Sequence, residues 1–92
     1  MDFSFSDREG LRRELERNEF AEAAYSLHGG HPPDAHCLDY RDGRWWVYYS
    51  TGGRELAVTT FDDEPSACLE LVDRLVRDPH TRPEARPHWF AS

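Results

Sequence analysis

The chain has 92 residues, 38% of them hydrophobic and 32% charged, with a formal net charge of −7. That length sets one small domain with a thin core, and the composition belongs to a folding chain rather than a disordered one. The acidic balance argues against a DNA or RNA partner, whose binding is driven by neutralising phosphates, and suits a basic protein partner.

The first ten residues, MDFSFSDREG, carry no basic region followed by an apolar run, so they do not read as a signal peptide. No apolar stretch approaches the roughly 18 residues that span a membrane. The expected location is therefore the cytoplasm, with the two thiols, Cys37 and Cys68, reduced.

Ser6-Asp7-Arg8-Glu9 fits a capping box, in which Ser6 accepts from the backbone and Glu9 reaches back. A helix is predicted from Asp7 to Asn18, with Leu11 and Leu15 as its apolar stripe and Phe20 completing the contact. Glu9–Arg13 and Arg12–Glu16 are spaced as i,i+4 pairs. A break is expected over 18–24, then a short strand at Tyr25–Leu27, which Gly29-Gly30 stops. Pro32-Pro33 forbids a helix there and blocks central ladder pairing.

Ala35 to Arg41 reads as a strand. Arg41-Asp42-Gly43-Arg44 is a hairpin signal, because Asp-Gly tolerates the positive φ of a type I′ turn. Residues 45–50, WWVYYS, form the most β-prone stretch. Thr51-Gly52-Gly53-Arg54 is a second turn, followed by a strand from Glu55 to Phe61. Asp62-Asp63-Glu64-Pro65 opens a second helix, with carboxylates at the positive end of the dipole. Its apolar stripe is Cys68, Leu71, Val72, Leu75 and Val76, and Asp78-Pro79 ends it. The expected organisation is one α+β domain over 1–78 and a Pro-rich tail over 79–92. The order αββββα predicts two layers: an antiparallel sheet of three to four strands, with both helices on one face.

The segment LHGGHPPDAHC places His28, His31, His36 and Cys37 close together, and these are zinc-ligand types. In an extended strand His36 and Cys37 point to opposite faces, which leaves at most three ligands, and the spacing matches no zinc signature. A polar connecting loop is the simpler reading. The metal alternative uses His28, His31 and His36. Asp62-Asp63-Glu64 reads as a helix start rather than a cation site. There is no G-x-S-x-G, H-E-x-x-H, phosphate-binding glycine loop or Rossmann fingerprint, so no enzyme and no cofactor is expected.

Strand alternation separates Trp45, Val47 and Tyr49 from Trp46, Tyr48 and Ser50. The first set is assigned to the core. Trp46 and Tyr48 are then expected as an exposed pair on the sheet's second face, flanked by His36 or Cys37, unless the tail covers them with Trp89 and Phe90. Exposed tryptophan and tyrosine are favoured interface anchors. Asp39, Asp42 and Glu55 would supply the charge around them.

Three motifs occur in order: AYSLHGGHP, GRWWVYYSTGG and the helix start FDDEPSAC. They resemble a set of short uncharacterised bacterial proteins that share Y-S-L-x-G-G, G-x-W-x-V-Y-Y-S and F-x-x-E-x-x-A-C, over roughly residues 11 to 76. Such proteins look like immunity proteins of polymorphic toxin systems. The resemblance implies a non-enzymatic protein that binds and blocks a cognate toxin. This chain departs from the pattern after Ser50, where Thr51-Gly52-Gly53 replaces Glu-Arg-Gly. The alternative expectation is a homodimer that pairs the same sheet face with itself.

Overall fold

The computed structural model describes residues 7–81. Ser6, Trp89 and Phe90 lie outside these residues, and with them the expected capping box and the expected tail cover. Among the described residues the chain forms α1 (Arg8–Arg17), β1 (Tyr25–Ser26), β2 (Ala35–Arg41), β3 (Arg44–Thr51), β4 (Arg54–Phe61) and α2 (Glu64–Arg77). Short 3₁₀ turns at Glu22–Ala24 and Pro79–Thr81 flank the sheet.

Asp7 caps α1, its side chain accepting from Gly10 N at 2.8 Å. A carboxylate from the other helix, Glu64, accepts from Arg8 N at 2.8 Å, so the two helix starts are tied together. Arg12 pairs with both Glu9 and Glu16, so Glu9 takes the residue three positions on rather than Arg13. The end of α1 is a Schellman motif without glycine. Phe20 N donates to Leu15 O, Glu19 N donates to Glu16 O, and Glu19 sits at a φ of 62°. Phe20 and Leu15, which this geometry brings together, are both buried core residues.

Asp63 caps α2 by accepting from Ser66 N at 2.8 Å. Cys68, Leu71, Val72 and Leu75 are buried as the stripe predicts, whereas Val76 is exposed. The core joins them to Leu11 and Leu15 of α1 and to Leu38 and Val47 of the sheet, with Trp45 and Phe61 packed alongside. Both helices therefore cover one face.

The sheet has the order β1-β2-β3-β4 and is mixed. The β2–β3–β4 meander is antiparallel, turning at Asp42-Gly43 and Gly52-Gly53, where all four residues have positive φ. The expectation of an antiparallel sheet throughout is corrected at β1, which runs parallel to β2 with Tyr25 opposite His36 and Ser26 opposite Cys37. The cause is the connection 27–34. It follows β2 as far as Gly29, whose N–H donates to Leu38 O at 2.9 Å, and then folds back across the uncovered face to restart at Ala35.

β4 carries a bulge. Tyr48 faces both Ala57 and Val58 where the register shifts, and Ala57 has a φ of 53°. After α2, the turn Pro79–Thr81 packs back on the body. Thr81 Oγ1 donates at 2.7 Å to Leu75 O, and Thr81 O accepts from Ala21 N.

Candidate functional site

The face away from the helices carries Cys37, Asp39 and Arg41 from β2, Trp46, Tyr48 and Ser50 from β3, and Glu55, Val58 and Thr60 from β4, as the pairing register dictates. Four of the five residues expected to bind a partner converge here on one guanidinium. Arg41 donates to Asp39 Oδ2 at 3.1 Å and to Glu55 Oε2 at 2.8 Å. Its guanidinium carbon lies 4.8 Å from the Trp46 ring centroid and 5.2 Å from that of Tyr48, within cation–π range. Trp46 is half-buried, and its Nε1 donates to Arg41 O at 3.1 Å. Asp42, the fifth, sits at the exposed β2–β3 turn.

Tyr48 does not stand open beside Trp46. It is 0% exposed, because the connection 27–34 lies over it, and its hydroxyl donates to Gly30 O at 2.8 Å. His31 in the same segment meets Glu55 at 2.9 Å, and Asp34 accepts from Thr51 at 2.6 Å. The approach is close: a Cβ on Gly29 would lie 2.4 Å from the Asp39 carboxylate. Cys37 flanks Tyr48 on this face, and His36 points the other way.

The electrostatics follow from these contacts. The hydrogen bond from Arg41, helped by His31, holds the Glu55 carboxyl below its ordinary range. Burial pushes the Cys37 thiol up to about 11 and the Tyr48 hydroxyl up to about 12. Cys68, buried in the helix layer, is pushed up to about 12. Both cysteines are free thiols on opposite faces of the sheet. Neither has the depressed pKa of a reactive nucleophile.

The three histidines of the metal alternative are dispersed. His28 Nδ1 lies 3.2 Å from Arg8 Nη1, and His31 faces Glu55. His36 lies on the helix side, 2.9 Å from Asp78 Oδ2, with its ring 4.8 Å from that of Tyr49. Among the described residues no three His, Cys, Asp or Glu side chains gather as a metal site. His36 Nδ1 is buried with no hydrogen-bond partner among the described residues; His36 lines a cleft of about 350 Å³, and a cleft of about 590 Å³ shares Tyr49 and Asp78 with it. The candidate cation cluster at 62–64 is divided among separate duties: Asp63 caps α2, Glu64 serves α1, and Asp62 pairs with Arg44 at 2.8 Å.

Sequence reasoning missed Arg41 as the hub. The available signal was its parity with Asp39, two residues apart on one face of a strand, together with the reach of its side chain. Compared with known proteins, the chain matches no family model, no curated protein sequence and no solved structure. Among the described residues no helix is long and apolar enough to cross a membrane.

Proposed function

We propose that this chain is a non-enzymatic, cytoplasmic protein-binding domain, an immunity protein that neutralises a cognate basic toxin by occupying it through the outer sheet face. The observation that carries the reading is the locked Trp46. Its indole is hydrogen-bonded at one edge and covered by the Arg41 guanidinium, which is itself fixed by two carboxylates. An aromatic anchor held in one rotamer binds with less ordering cost than a free one. Tryptophan and arginine are the residue types that dominate interface energetics. Val58 on the same face is 42% exposed and extends the apolar contact. The acidic balance and the three-motif resemblance support a basic toxin as the partner.

The test is affinity capture from the native cell extract with wild type and Trp46→Ala, followed by co-expression of the captured protein with each. One basic protein should be retained by wild type and lost with Trp46→Ala, and its toxicity should be relieved only by wild type. Capture that ignores Trp46, or a wild-type chain that pairs only with itself at micromolar concentration, would overturn the reading.

A further inference from the structure

The connection 27–34 does more than join β1 to β2. Residues 27–29 run along the edge of β2, and residues 30–34 then pass over the outer face and hide Tyr48, the second aromatic of the row. Their hold is local. Among the described residues it consists, for 30–34, of the Tyr48 Oη–Gly30 O, His31–Glu55 and Thr51–Asp34 contacts, whereas His28 and Gly29 are tied down by Arg8, Ser26 and Leu38. The segment places one apolar residue, Leu27, in the core cluster, at its first position. Its bends are concentrated in left-handed backbone: Gly29 and Gly30 near the start, at φ 74° and 85°, and Asp34 at the end, at φ 50°. Beneath it the Ser50 hydroxyl is buried with no hydrogen-bond partner among the described residues. Few apolar contacts and few hydrogen bonds over residues 30–34 mark the low-stability part of a fold.

We propose that segment 30–34 is a lid which lifts from the outer face while the rest of the domain stays folded, and that the lifted state is the one the basic partner binds. Lifting bares Tyr48 beside Trp46 and takes His31 away from Glu55. The face then becomes larger and more aromatic, and its rings offer a surface on which the side chains of a basic protein can stack. The partner half of this inference rests on the function proposed above. The lid itself does not.

Cys37 lies on the covered face, and Cys68 lies in the core that only global unfolding opens. The two thiols therefore report the two kinds of opening separately. The experiment labels the intact wild-type chain with a small aromatic disulfide reagent, with the site of labelling read by peptide mass. His31→Ala and Tyr48→Phe are run beside it. Cys37 should react at least about tenfold faster than Cys68. Each variant, by removing one hydrogen bond from the lid, should speed Cys37 by roughly fivefold to tenfold and leave Cys68 unchanged. The partner captured through Trp46 should bind each variant more tightly by the same factor, as a shift in the competent population requires.

Equal labelling of the two thiols, no labelling of either, or no selective gain in the variants would overturn the lid. Selective labelling with unchanged partner affinity would overturn the claim that the partner uses the lifted state. Trp46→Ala should leave labelling as in wild type while abolishing capture, so failure of the lid and failure of the interface remain distinguishable.

Discussion

Truncating Tyr48 to alanine separates a covered outer face from an open one. A buried aromatic side chain removes roughly 150–250 Å² from water. At about 25 cal/mol per Å² that corresponds to roughly 4–6 kcal/mol, an upper bound because the unfolded chain already hides part of this surface. Tyr48 is 0% exposed and also carries the Arg41 stack and the bond to Gly30 O. Tyr48→Ala should therefore cost about 3–5 kcal/mol, in the range of aromatic truncations in cores. Trp46→Ala, at a half-buried site on the same strand, should cost about half as much. The assay is urea unfolding followed by far-ultraviolet circular dichroism, compared at equal slope. A Tyr48→Ala cost below about 1 kcal/mol would refute the reasoning, because it would mean that the ring faces water and that segment 27–34 does not cover it.

Other predictions follow from single positions. Glu19→Gly and Ala57→Gly should each stabilise the fold by about 1 kcal/mol in the same unfolding assay, since both positions hold a left-handed φ at a non-glycine residue. Gly29→Ala should destabilise by more than about 2 kcal/mol, because a left-handed φ of 74° is joined by a Cβ colliding with the Asp39 carboxylate. Gly43→Ala, which meets nothing within 4 Å, should show the smaller backbone cost alone. Glu55 has a folded pKa held below its ordinary value by Arg41, so its contribution is present above the unfolded pKa and is lost as pH falls through the folded one. Acid titration of stability should therefore show a shallower loss on the acid side for Glu55→Gln than for wild type.

Much of the fold is local chemistry, and for that reason it was readable. Asp42-Gly43 and Gly52-Gly53 dictate their turns, the 45–50 row dictates a strand, and the Cys68–Leu75 stripe dictates which side of α2 is buried. The misreadings sit where a distant contact decides. The direction of β1 depends on which way segment 27–34 crosses the sheet, and a two-residue strand carries no pattern that encodes direction. The burial of Tyr48 depends on the same crossing, because alternation assigns a side chain to a face but not to what lies over that face. The end of α1 falls at Asn18 as expected although it lacks the glycine that usually signals a Schellman turn, whereas the Ala57 bulge, unmarked by glycine, breaks the period of β4. Both are places where tertiary packing holds a residue against its local preference.

The site also redistributes the acidic charge that pointed to a basic partner. Asp39 and Glu55 are not free to steer a partner, because Arg41 engages both. The exposed Glu19, Glu22, Asp34 and Asp42 lie outside that cluster and face solvent. Attraction and anchoring therefore belong to different residues, and kinetics should divide them. Asp42→Asn and Glu22→Gln should lower the association rate of the captured partner and flatten its dependence on salt, with dissociation nearly unchanged. Trp46→Ala should instead raise dissociation by more than about tenfold and leave the salt dependence of association in place. If Asp39→Asn or Glu55→Gln alters association alone, those carboxylates act as a field rather than as a brace for Arg41, and the anchor would have to be sought elsewhere on the surface.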